Sequence, residues 1–324
     1  MRARATSSAL SLVLLATACV AGGGHVARTA EQTYLGAQHN WAFRREHPEA
    51  DRLFNAFDYG HAALYETLIR RPGAARAIDG PLFDDVTQRV LKHPPSVPLA
   101  EQAIGPSYAT LVPEVVAMFE WAHVLHRQLY DVLADPRVWP ADRDARVAEL
   151  LRYYASRRDL AFSAKPKSMD LMEGQPYSLV FRGQDPKYNG LLWSYHWMQM
   201  ALYDALLDAD DAASRRANVD ATVARFRAIV DGPASGLPAT MPMSAAVAPR
   251  FSERYPEAAI VFDNMHALHD VVADILASPD IPRSAKRRAI LTAAARYRDS
   301  TTAVMSVSEW REMGRAMGDG LERR

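Results

Sequence analysis

Two stretches of the chain are apolar on almost every side of a helix and yet carry charges at a fixed spacing. Over 112–134, Val112, Val116, Met118, Phe119, Leu125, Leu129, Val132 and Leu133 leave no wet face. Glu120, His123, Arg127 and Asp131 fall at i, i+3, i+7 and i+11 of that stretch, one narrow stripe at helical pitch. Asp263, His266, Asp270 and Asp274 repeat the spacing among Ile260, Val261, Leu268, Val271, Val272, Ile275 and Leu276. Each stripe has a second histidine six residues after its first acid, His126 and His269. Charged groups on a helix without a wet face must pair, change their ionisation, or bind something.

Apolar periodicity predicts further helices over 53–70, 82–92, 141–158, 190–207, 212–230, 282–303 and 306–317, with the second charged stretch running over 252–277. Pro72-Gly73, Pro94-Pro95 and Asp135-Pro136 mark stops, and Ser306-Val-Ser-Glu309 fits a capping box. Residues 22–50 are predicted to be a linker that becomes ordered. Residues 160–187 are predicted to be irregular, with Met172, Tyr177 and Phe181 lining an access path, and 233–249 a Pro/Ala/Met loop. No period-two run of strand length occurs. The expectation is all-α: an up-down helical bundle in one domain over 51–324.

The halves align with each other. Ala63-Leu64-Tyr65-Glu66 matches Ala201-Leu202-Tyr203-Asp204, 138 positions on, and Glu120 matches Asp263, 143 positions on. This predicts duplicated halves at about 53–158 and 190–303 and a four-helix core of two pairs, 53–70 with 112–134 and 190–207 with 252–277. Asp58 then aligns with His196, and His61 with Gln199.

Glu120-Trp-Ala-His123 and Asp263-Asn-Met-His266 put an acid-x-x-His motif on the second and fourth core helices. This arrangement resembles the ferritin-like di-metal carboxylate four-helix bundles, over the core helices only. The resemblance implies a metal between the helices. The chain departs from that pattern in carrying Asp58/His61 and His196/Gln199 on its first and third helices, and Asp in place of Glu on the fourth.

Six of the ten histidines (61, 123, 126, 196, 266 and 269) lie on the four core helices. An acid and a histidine three residues apart share a helical face and can ligate one ion or orient each other. The expected ligands are Glu120, His123, Asp263, His266, His61, His196 and Asp58. His126, His269, Arg127, Asp131, Asp270 and Gln199 are expected to support them. Mixed imidazole and carboxylate suits iron, zinc, manganese or copper. A metal-free ion-pair network, in which Arg127 bridges Glu120 and Asp131, and a bis-histidine haem stay open at this point. The functional readings are an oxidoreductase acting on a small molecule with one or two metals, or a non-catalytic envelope protein that binds a ligand or metal.

Composition narrows the partners. With 49% hydrophobic and 23% charged residues a sizeable core is available, and a formal net charge of zero without a basic stripe argues against nucleic acid. No Gly-rich phosphate loop and no serine nucleophile elbow occur. Residues 1–21 read as an export signal: Arg2 and Arg4, a short apolar core over 9–18, then Ala16-Thr17-Ala18. The single cysteine, Cys19, follows directly and precedes Gly22-Gly23-Gly24, which resembles a bacterial lipoprotein signal. The expectation is an exported protein, periplasmic or anchored to the membrane through a lipid on Cys19. With no second cysteine, no intrachain disulfide can form, so stability must come from packing or metal.

Overall fold

Each of the four longest core helices begins at a proline, and that residue decides how the chain enters the core. In the computed structural model, which describes residues 30–71, 77–209, 211–318 and 320–321, the α-helices are α1 (Ala42–Glu46), α2 (Pro48–Arg70), α3 (Glu101–Ile104), α4 (Pro106–Leu111), α5 (Pro113–Ala134), α6 (Pro140–Ser156), α7 (Asp170–Glu173), α8 (Val180–Gln184), α9 (Pro186–Leu207), α10 (Ala212–Val230), α11 (Ser244–Val247), α12 (Pro249–Arg254), α13 (Pro256–Ala277), α14 (Arg283–Arg298) and α15 (Val307–Met317). Among the described residues there is no strand, only an isolated bridge between Lys167 and Val304. The fold is all-α. Residues 1–21, expected to be an export signal, with Cys19 among them, and Pro72-Gly73 lie outside the described residues.

His47, Val112, Asp185 and Tyr255 precede Pro48, Pro113, Pro186 and Pro256, with φ of −134°, −141°, −131° and −128° and ψ of 60°, 63°, 58° and 59°. A residue before proline is pushed out of the helical region, while proline itself fits the first turn, where its missing N–H is not needed. The one-turn helices α1, α4, α8 and α12 therefore stop, and α2, α5, α9 and α13 start in a new direction. The same break divides the helix expected over 252–277 at Tyr255.

Backbones of α2 and α5 each pack against both α9 and α13. Large side chains meet across the remaining diagonals: Phe54 of α2 lies edge-on to His126 of α5, and His196 of α9 stacks on His266 of α13. Outside this core, α6 covers α5, α10 covers α9 and α14 covers α13, while α15 lies on α11. No helix among the described residues is long and apolar enough to cross a membrane.

Hydrogen bonds recur at the register read from the sequence. Asp131 accepts from Trp41 N and Phe43 N at 2.8 and 2.9 Å, and Asp274 accepts from Leu179 N and Phe181 N at 2.9 and 2.8 Å. Trp41 and Leu179 both take a left-handed backbone, φ 62° and 66°. Glu66 accepts from Ser107 N and Tyr108 N, and Asp204 from Arg250 N and Phe251 N. The Tyr65 hydroxyl donates to the carbonyl of His269, and the Tyr203 hydroxyl reaches the carbonyl of His126.

Within the segment expected over 22–50 as a linker that becomes ordered, the described residues are helical from Ala42, and Phe43 is buried against Tyr130. The irregular reading of 160–187 is corrected. The 160–187 segment carries α7 and α8 and is packed down, with Met172 and Phe181 2% and 1% exposed. It is held there by the bonds from Leu179 N and Phe181 N to Asp274, so Met172 and Phe181 fill core while Tyr177 stays half-buried and Leu179 is exposed. The capping box at Ser306 and Glu309 forms as expected.

Candidate metal centre

His61 of α2, His196 of α9 and His269 of α13 meet in the middle of the bundle, with one nitrogen from each inside a 4.8 Å radius of the others. None is more than 2% exposed. Ring centroids of His61 and His269 are 4.1 Å apart, and those of His61 and His196 5.7 Å, all nearly parallel. Phe57 meets His61 edge-on at 4.2 Å and Phe119 packs on His269 at 3.9 Å. These apolar walls exclude water. Burial, reinforced by the neighbouring imidazoles, holds all three rings well below the usual imidazole range, so they are neutral and keep a lone pair.

Both ring nitrogens of His61, both of His196 and Nδ1 of His269 have no hydrogen-bond partner. Each such buried polar atom costs about 1–3 kcal/mol if it stays unpaired. A neutral imidazole is a good ligand for a transition metal, and three from different helices can supply three donors to one ion. Metal–nitrogen bonds of about 2.0–2.1 Å require the three nitrogens to draw together by on the order of 1 Å. The donor set fits a transition-metal ion.

Around this triad the other core histidines are partly engaged. His266 stacks on His196 with 3.9 Å between centroids, and its Nε2 lies 3.2 Å from Gln199 Oε1. His126 Nδ1 is 2.7 Å from the Tyr203 hydroxyl. His123 Nδ1 is 3.6 Å from Asp58 Oδ1 and 3.9 Å from Glu101 Oε1. His123 Nε2, His126 Nε2 and His266 Nδ1 have no partner.

Set beside the residues expected from sequence, the triad takes His61 and His196 from the expected ligands and His269 from the expected supporting residues. His123 and His266 stand next to it. Glu120 and Asp58 gather instead on the edge of His123 together with Glu101, beside a small cavity. Asp263 is committed elsewhere, accepting from Ser244 N, Ser244 Oγ and Trp310 Nε1 at 3.0, 2.6 and 2.8 Å.

Asp131 and Asp274 orient no histidine. They stand roughly three turns, about 16 Å, along their helices from Glu120 and Asp263, and hold the entering turns α1 and α8. Arg127 does not bridge Glu120 and Asp131. Its Nη2 donates to Asp58 Oδ2 at 2.8 Å and its guanidinium lies over Phe54. Asp270 accepts from Trp193 Nε1 at 2.8 Å, and burial pushes it up to about 7.

Glu101 is the residue that sequence reasoning missed. It lies between the Pro94-Pro95 stop and the helix expected from 112, and a single acid there carries no pattern. Only the packing of α3 on α2 brings it to His123.

The chain matches no protein-family model, no curated protein and no solved structure. Its function must be argued from its own residues.

Proposed function

We propose that this is a metal-binding helical-bundle protein in which His61, His196 and His269 hold one transition-metal ion. The observation that carries the reading is the convergence of three buried, neutral imidazoles whose free nitrogens have no protein partner. Imidazole donors suit zinc, copper and iron, with manganese binding more weakly. When bound, iron or copper supplies redox chemistry and zinc supplies Lewis-acid activation of water. The oxidoreductase reading rests on the first case and takes a small-molecule substrate. With residues 1–21 and Cys19 read as an export signal and lipid anchor, metal would be acquired outside the cytoplasm.

A second reading, a non-catalytic protein that carries its metal, is favoured by one feature. The triad is closed in by Phe57, Phe119 and its neighbouring histidines and is not more than 2% exposed.

Metal content by mass spectrometry tests the proposal, on the full chain beside His61→Gln and His196→Gln. About one equivalent of a transition metal in the parent, lost in folded variants, supports it. No iron, zinc or copper in the parent after reconstitution with each removes it. Turnover that scales with metal content then selects the enzyme, and a metal-loaded protein without turnover selects the carrier.

A further inference from the structure

Three carboxylates from three elements line one small cavity beside His123. Asp58 comes from α2, Glu101 from α3 and Glu120 from α5. Asp58 Oδ1 and Glu101 Oε1 both face His123 Nδ1, at 3.6 and 3.9 Å. A cavity of about 20 Å³ lies among these four residues and Arg127. That is room for one water-sized particle, for which about 10–15 Å³ suffices.

The charges there do not balance. Arg127 is the one cation lining the cavity; its Nη2 is spent on Asp58 Oδ2 and its Nη1 faces Asp51 at 3.5 Å. Glu31, also on the wall, is paired with Arg44. Asp58 Oδ1 is buried without a hydrogen-bond partner, on a side chain 6% exposed, and the Glu101 side chain is 4% exposed. Burial and the neighbouring acids push Glu101 well above the usual carboxylate range and Glu120 up to about 7.

The aligned place in the other half shows the same scaffold with its charge satisfied. Ser244 stands for Glu101 and Asp263 for Glu120, each 143 positions on, and Ser244 and Trp310 donate to the Asp263 carboxylate. The first half has acids where the second has donors.

We propose that Asp58 Oδ1, Glu101, Glu120 and His123 form a second cation site that takes a hard divalent first-row ion of the Mn²⁺ type. Carboxylate oxygens favour Mg²⁺, Ca²⁺ and Mn²⁺, and the single imidazole tips the set towards Mn²⁺. The site goes beyond the histidine triad and does not depend on it. His123, whose ring is 5.9 Å from that of His269, makes the two neighbours.

The test is titration of the metal-free full chain with Mn²⁺, followed by loss of the free-ion EPR signal. One equivalent binds in the parent, and Glu101→Gln and Glu120→Gln each weaken it by about 10–100-fold or more. His61→Gln leaves Mn²⁺ binding in place while removing the triad's metal. Mn²⁺ also raises the parent's Tm, a readout that needs no variant. No Mn²⁺ uptake or no Tm rise in the parent overturns the proposal. So does uptake that both glutamine variants retain, or uptake that His61→Gln abolishes.

Discussion

The Tyr203 hydroxyl sits 2.7 Å from Nδ1 of His126, with both groups fully buried. Burial keeps the tyrosine protonated, and its hydroxyl engages Nδ1 whichever of the two carries the shared proton. That contact takes Nδ1 of His126 out of metal binding. Tyr203→Phe therefore leaves a buried ring nitrogen unpaired and lowers stability by about 1–3 kcal/mol. Tyr65→Phe frees only a backbone carbonyl, that of His269, and costs less, about 0.5–1.5 kcal/mol. Urea unfolding of the two variants compares them; a larger loss in Tyr65→Phe contradicts the assignment.

Trp310 of α15 is 1% exposed and donates to Asp263 Oδ2. Trp310→Phe keeps most of the packing and loses the donor, for about 1–3 kcal/mol. Trp310→Ala opens a cavity as well, for about 3–5 kcal/mol. A Trp310→Phe variant with the parent's urea midpoint would show that the indole is filler and not a partner of Asp263.

Leu179 is held in a left-handed backbone at φ 66° so that its N–H, and that of Phe181, reach Asp274. Its side chain is 41% exposed, so little packing is at stake. The left-handed conformation costs a non-glycine residue roughly 1–2 kcal/mol, part of which glycine returns as unfolded-state entropy. Leu179→Gly is expected to stabilise by about 0.5–1 kcal/mol. A loss in thermal or urea unfolding would mean that Leu179 contributes more by packing than its backbone costs.

Stability of the metal-free protein depends on pH through two opposed sets of groups. Burial keeps His61, His123, His126, His196, His266 and His269 neutral, with His266 pushed down to about 3. The unfolded chain protonates them near pH about 6.5, so unfolding takes up protons and stability falls as pH drops from there towards 3. Glu120, Asp131, Asp185 and Asp270, raised to about 7, and Asp263 and Asp274, raised to about 6, act with the other sign. They protonate first in the folded state, adding stability between pH about 7 and about 4. The curve is shallow between pH about 4.5 and 6.5, and steep below about 4, where the histidines act together with carboxylates held low by their partners, such as Asp85 and Asp299. Stability that climbs steadily from pH 6 to 3 in urea titrations contradicts this balance.

The helices were legible because burial writes itself into composition: apolar residues around the whole circumference of 112–134 and 252–277 leave no other reading. The histidines were legible as a set for the same reason, since six polar rings on such helices cannot be surface residues. Which of them meet was not legible. His266 and His269 are one turn apart, and the rotation of α13 against α2 and α9, a property of all three helices, brings His269 and not His266 to His61. Asp131 and Asp274 shared a stripe with the histidines, yet a stripe constrains angle and not height, and both acids stand at the far end.

By itself the sequence determined an all-α chain, the apolar stretches that form its core helices, and a core rich in imidazole and carboxylate. These follow from local rules: the helical period and the penalty for burying charge. Tertiary structure alone decided that His61, His196 and His269 converge, that Asp263 is occupied by Ser244 and Trp310, and that Glu101 joins Asp58 and Glu120 beside His123. Those contacts join residues between 19 and 208 positions apart, and only the packing of whole helices fixes distances over such separations.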